Sequence, residues 1–220
     1  MAIFSYTYAT LETAVKNWTE DDSTEFDAVL DDIMGLAELM IYRDVDLDYT
    51  KKHATVTGSA SDQYLAKPTD FVADRSMYLT SSGVIYPLTA KSANWIRDYW
   101  ETPASEERPK YYADWDDDTF LIAPTPDASY VYTLEYTHRP ARLASDNTTT
   151  WLSTNAPDVL LFACLVQSAA FLQELNRGEE PGMLPVWEKA YLEGIKRLRD
   201  EEMRKQRRTE ARFGESHGEI

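Results

Sequence analysis

Asp114, Asp116 and Asp118 alternate along the chain, and Asp44, Asp46 and Asp48 repeat the spacing. Alternating carboxylates are how a calcium loop presents its first oxygen ligands. Three of them on one divalent ion could also activate water in a hydrolase or nuclease. An EF-hand loop further requires glycine at its sixth position and glutamate at its twelfth. The first series has Thr119 and Thr125 there, and the second has Tyr49 and Thr55, so neither is such a loop. Asp114 to Asp118 reads better as a solvated hairpin turn. An acidic, metal-dependent hydrolase or nuclease built on Asp114, Asp116 and Asp118 is the alternative reading.

Other chemistry-bearing residues are sparse. His53, His138 and His217 lie far apart, with no His-Glu-x-x-His pair. Cys164 is the single cysteine and falls on an apolar helical stripe, where a thiol acts as a small hydrophobe. It excludes a disulfide framework within these 220 residues. There is no phosphate-binding Gly-Lys-Ser/Thr loop, no Gly-x-Gly-x-x-Gly and no Gly-x-Ser-x-Gly elbow. The reading therefore assigns no catalytic, cofactor-binding or metal-binding residue, expects no cofactor, and is not that of an enzyme.

The formal net charge is -16, yet 43% of residues are hydrophobic, enough for a packed core rather than a disordered acidic chain. Such acidity argues against a surface that wraps nucleic acid generally. No apolar run approaches the ~20 residues that span a bilayer, so no membrane partner is expected. The first 18 residues lack a basic start followed by an apolar stretch, so no secretory signal is expected. The charge is uneven. Residues 1–50 hold 12 acids and 2 bases, whereas Lys196 to Arg212 hold 8 bases and 4 acids. An acidic head and a basic end suit two different partners.

The elements that must carry these residues follow from periodicity. Thr10 to Trp18 reads as a short helix. Glu25 to about Arg43 reads as a longer one, capped by Ser23, with Phe26, Val29, Leu30, Ile33, Leu36, Ala37 and Met40 as its stripe. Alternating, β-branched stretches then predict strands at 54–57, 76–80, 84–88, 111–113, 119–123 and 130–137. Ser81-Ser82-Gly83 is a hairpin turn candidate. A short helix within 90–100 anchors through Trp95, Ile96, Tyr99 and Trp100. Helix returns near Asn155, read as a cap, with Pro157 in the first turn and Gly178 at the end. The last helix runs from about Leu184 to Arg208, with Trp187, Tyr191, Ile195 and Leu198 as its stripe. Beyond Leu198 it has little to bury and is expected to project.

Helices, strands, helices is the order of an α+β fold: a helical bundle from the N- and C-terminal helices with an inserted small β domain. The expected divisions are residues 1–50 and 146–208 for the bundle, 51–145 for the β domain and 209–220 for a C-terminal tail.

Several segments together resemble the head-to-tail adaptor family of tailed bacteriophages, the neck proteins related to tail tubular protein A. They include Tyr8-Ala9-Thr10-Leu11 and Leu36-Ala37-Glu38 leading to Ile41-Tyr42-Arg43-Asp44. Lys67-Pro68-Thr69-Asp70-Phe71, then Phe120-Leu121-Ile122-Ala123-Pro124 and Arg139-Pro140, follow in the family's order. The strongest match is Thr150-Trp151-Leu152-Ser153-Thr154-Asn155-Ala156-Pro157-Asp158 with Leu161-Phe162-Ala163-Cys164-Leu165.

The resemblance implies a structural virion protein of the neck or tail, assembled in the host cytoplasm. Its copies would form a homo-oligomeric ring, typically a dodecamer, docked beneath the portal protein. The other end would receive the tail nozzle or tail hub protein and, as a further option, tail fibres. DNA would pass the lumen during ejection without specific binding, along an expected negative wall. Arg204, Arg207, Arg208, Arg212 and Phe213 are the expected portal-interface residues, because they lie on a charged extension without a core of its own.

Overall fold

The structure is a computed structural model that describes residues 4–172 and 182–215, with side chains described as far as residue 208. It is an α+β fold. The chain divides into two compact units, Met1–Asp48 with Ala141–Ile220, and Tyr49–Pro140.

The first unit is helical. Helix α1 (Tyr8–Thr19) starts at a capping box in which Thr7 and Thr10 satisfy each other's backbone N–H. Helix α2 (Thr24–Asp44) is capped by Ser23, as its sequence predicts. Helix α4 (Trp151–Asn155) is capped by Thr150, and α5 (Pro157–Phe171) follows at once. Asn155 is therefore not a cap but the last residue of a short helix, its amide donating back to the Trp151 carbonyl (3.0 Å). Thr150 and Ser153 supply the reciprocal box that sequence periodicity alone does not reveal.

Helix α5 is the centre of this unit. It buries Val159, Leu160, Leu161, Ala163, Cys164, Leu165, Ser168 and Ala169, which is too many for one stripe. A helix apolar nearly all round must be covered on several sides. Here α1, α2 and α6 (Leu184–Glu215) cover it. Helix α6 contributes Trp187, Tyr191, Ile195 and Leu198, the predicted stripe, and it continues past Arg208 to Glu215. The C-cap reading of Gly178 falls outside the described residues.

In α2 the stripe is rotated from the expected one. Leu36 is 53% exposed, while Glu38 is 2% exposed. Glu38 follows Met34 by four residues and precedes Ile41 by three, so helical geometry places it among the buried positions Leu30, Met34, Ala37 and Ile41.

The second unit is a seven-stranded sheet. Its strands are β1 (Lys51–Gly58), β2 (Tyr64–Ala66), β3 (Phe71–Ser81), β4 (Val84–Ala90), β5 (Tyr111–Asp114), β6 (Thr119–Ala123) and β7 (Tyr130–His138), in the order β1-β7-β3-β4-β5-β6-β2. All pairs are antiparallel except β4 with β5. The sheet curls round a core of Leu65, Met77, Leu79, Leu88, Tyr112, Phe120, Ile122, Tyr132, Leu134 and Tyr136. The alternation along the strand expected at 130–137 buries one largely aromatic face, Tyr132, Leu134 and Tyr136. Between β3 and β4, Ser82 and Gly83 both take positive φ (51° and 79°), the signature of a tight two-residue hairpin turn.

Gly58 shows how closely the curl is packed. A Cβ there would sit 2.7 Å from the Tyr132 ring. Between β4 and β5 lies α3 (Ala93–Tyr99), capped by Ser92. Only Ile96 of its four expected anchors is fully buried, and Trp100 is half-buried. Trp95 and Tyr99 instead stack on each other at the surface (4.9 Å, 10°).

Candidate functional site

The alternating carboxylates do not converge. Asp114 ends β5 and Asp116 and Asp118 lie in the turn to β6. One Asp116 carboxylate oxygen accepts the N–H of Asp118 (2.9 Å), the N–H of Thr119 (2.7 Å) and the Thr119 hydroxyl (2.9 Å). This is an aspartate folding its own turn. Desolvation opposes its ionisation, but these hydrogen bonds hold Asp116 below the usual carboxylate range.

The Asp114 carboxylate is paired with the Lys67 ammonium (2.6 Å). That ammonium also donates to the Asp116 carbonyl and lies over the rings of Phe71 and Phe120, 4.9 and 5.0 Å from their centroids. Its side chain is only 4% exposed, so the turn is tied down by a lysine running along an aromatic surface.

The second acidic series is also structural. Asp44 closes α2, accepts the Tyr191 hydroxyl (2.6 Å) and offers its carbonyl to Arg199 (2.8 Å). The Tyr191 hydroxyl is pushed above its ordinary value by burial and by Asp44. The Asp48 N–H donates to Glu202 (2.9 Å). Among the described residues no group of three or more His, Cys, Asp or Glu could hold a metal ion.

His53 is exposed, 3.9 Å from Glu135. His138 shares a hydrogen bond with the Thr50 carbonyl (2.8 Å), and His217 lies outside the described residues. Cys164 is fully buried, and desolvation, with Glu38 nearby, pushes its thiol well above the ordinary value, so it is not a reactive nucleophile.

What remains are surfaces. The α6 stripe ends at Leu198 and the buried Glu202. Beyond it Met203 is 42% exposed, and Arg204, Arg207 and Arg208 are exposed on the same helix. The Arg204 Nε donates to the Asp200 carbonyl (3.0 Å), whereas Lys205 is held by Glu202 and lies 5.6 Å from the Trp151 ring. Arg212 and Phe213 fall within the span of α6, but their side chains lie outside the described residues. A second surface lies on the sheet unit. A recess of about 520 Å³ is lined by Asp98, Tyr99, Trp100, Glu101, Thr102 and Ser105, beside the Trp95–Tyr99 stack.

Two buried carboxylates, Glu38 and Glu202, belong to no sequence motif. Glu38 accepts the Leu143 N–H (2.7 Å) and the Thr150 hydroxyl (2.9 Å), and Glu202 accepts the Asp48 N–H. Burial raises the Glu38 carboxyl above its ordinary value even though both hydrogen bonds favour the charged form. A sequence signal does exist for each. Glu202 continues the row Trp187, Tyr191, Ile195, Leu198, and Glu38 sits inside the α2 stripe.

A family model described as SU10 adaptor protein matches residues 6–213. The chain belongs to that family. It is a family of phage head–tail adaptors, structural proteins rather than a known enzyme family, which makes the chain a virion component that interacts with other head and tail proteins. None of the curated proteins is similar enough to count as a match. No helix among the described residues is long and apolar enough to cross a membrane.

Proposed function

We propose that the chain is one subunit of a ring, a dodecamer, that sits between the portal protein and the tail nozzle or tail hub, with tail fibres as a further contact. In this reading the helical part (1–50 and 146–208) and the end of α6 engage the portal. The inserted part (51–145) serves the tail side. DNA passes through the lumen without specific binding. The complex is assembled in the host cytoplasm.

The observation that carries the reading is the continuation of α6 past its last buried positions, with Arg204, Arg207 and Arg208 exposed on a helix end that buries nothing of its own. Such an extension suits a groove in another protein, read through charge and through Met203. Arg212 and Phe213 extend the same proposal. The net charge of -16 supports a lumen past which phosphates slide rather than stick.

Purified chain imaged with and without portal tests this. Rings of twelve docked on portal are expected. A chain that stays monomeric and ignores portal refutes the reading. Portal binding that survives deletion of residues 204–220 refutes the role of the helix end alone.

A further inference from the structure

The outer face of the curled sheet carries an array without charge. Strand register aligns Thr57, Val131, Thr80 and Ile85 in one row across β1, β7, β3 and β4. It aligns Thr55, Thr133, Tyr78 and Pro87 in the next row on the same face. The intervening positions, Val56, Tyr132, Leu79 and Tyr86, face the core. Ile85 is 61% exposed and Val131 44% exposed, and Thr55, Thr57 and Pro87 are exposed as well. Charge returns only in the third row, where His53 stands opposite Glu135.

The chain is 27% charged overall, so eight outward positions at that composition would hold about two charges. Here there are none, on a chain with 38 acidic residues. Depletion of charge is what marks the core of a protein–protein interface. With strands ~4.8 Å apart and alternate residues ~6.8 Å apart, the array covers roughly 260 Å². That is the scale of an interface core within the ~800 Å² a stable partner buries on each side.

We infer that this face is the core of the contact between neighbouring copies of the chain. The inference rests on the ring reading above and names the surface that reading needs. The charge decides the occupant. Two copies each carrying -16 repel wherever acidic surfaces meet, and like charges in apposition disfavour the contact. A basic partner would be served better by the acidic surface elsewhere, whereas a like-charged copy approaches best where charge is missing. In a head-to-tail ring the face meets a different patch of the neighbour, so it has no need to be self-complementary.

The test compares three forms by native mass spectrometry and electron microscopy, with portal present. Ile85→Asp with Val131→Asp places two charges on the face. Thr69→Asp with Asn94→Asp adds the same charge at exposed positions off it. The first is expected to lose rings at least tenfold, and the second to assemble as wild type. Ile85→Cys supplies a labelling arm that survives any folding failure of the first variant. Cys164 is fully buried, so a maleimide reports position 85 alone, and its labelling rate is expected to fall at least tenfold on assembly.

Rings of the Ile85→Cys variant that label as fast as its unassembled chain, or equal loss of rings in both charged variants, overturn the inference and leave the ring reading standing. A wild-type chain that never assembles overturns both.

Discussion

Removing the Glu38 side chain tests the pairing at the heart of the helical unit. In Glu38→Ala the buried Leu143 N–H loses its acceptor, at about 1–3 kcal/mol, and the Thr150 hydroxyl loses a charged partner. Thr150 still accepts the Ser153 N–H, so the α4 cap survives. The expected loss is about 2–4 kcal/mol, and at ~2–4 °C per kcal/mol for a chain of this size the melting temperature falls by roughly 5–15 °C. Glu38→Gln separates hydrogen bonding from charge. Its amide oxygen can accept the Leu143 N–H and its amide nitrogen can donate to the spare lone pair of Thr150 Oγ1. Both contacts survive without a buried charge, so the change stays within about 1 kcal/mol of wild type at pH 7.

The sign of the pH dependence follows from the raised carboxyl. A folded-state value above the unfolded one means the native protein holds the proton more tightly. Wild type therefore gains stability relative to Glu38→Gln as pH falls through the raised value toward the ordinary carboxylate range, and the difference is flat above it. Urea unfolding followed by far-ultraviolet circular dichroism, from pH 4.5 to 8, measures both effects. If Glu38→Ala costs under about 0.5 kcal/mol, the hydrogen-bond account is wrong. If Glu38→Gln is as damaging as Glu38→Ala, the ionised charge rather than the acceptor geometry holds the segment.

Three further outcomes are expected. Gly58→Ala drives a Cβ into the buried Tyr132 ring and costs about 1–3 kcal/mol by overpacking, measured by thermal melting; a neutral result means that the ring can move. Tyr132 Oη is buried with no hydrogen-bond partner among the described residues, so Tyr132→Phe stabilises by about 0.5–2 kcal/mol, and a loss above about 1 kcal/mol reveals a bridging partner. Calcium or magnesium at about 10 mM leaves the melting temperature unchanged, whereas a site of ~0.1 mM affinity in the aspartate turn would add about 2.7 kcal/mol.

The legible and illegible parts of this fold divide along physical lines. Periodicity exposed the long elements, because Trp187, Tyr191, Ile195 and Leu198 on α6 and Tyr132, Leu134 and Tyr136 on β7 each bury one face that repeats at the period of its element. Short elements depart from pattern where a local hydrogen bond outweighs it. Asn155 looks like a cap, but Thr150 with Ser153 caps first and makes Asn155 a helix end. Trp95 and Tyr99 look like anchors by hydrophobicity, yet a seven-residue helix has room for few buried positions, and Ile96 takes one of them. The aspartate turn is readable as a turn from the run Asp114 to Asp118. Lys67, 49 residues away in sequence from Asp116, was invisible because its role exists only once β2 pairs with β6. The uncharged outer array is equally a product of register. Its eight residues come from four separate strands, and no window of sequence shows them side by side.

The two buried glutamates share a reason that neither shows alone. Asp48 and Ala141 are where the chain leaves the helical unit and returns to it. A chain crossing out of a helix bundle has backbone N–H groups that neither a helix nor a sheet can satisfy, and buried ones must find another acceptor. Glu202 takes the Asp48 N–H at the exit and Glu38 takes the Leu143 N–H at the return. Each sits where its helix would otherwise place an apolar residue, so each displaces some hydrophobic burial to provide an acceptor. A leucine at either position would fit the stripe, but at 38 it would orphan the buried Leu143 N–H and at 202 it would remove the acceptor of the part-buried Asp48 N–H. An insertion of 92 residues (Tyr49–Pro140) thus leaves its mark inside the helical unit as one buried carboxylate at each end of the detour.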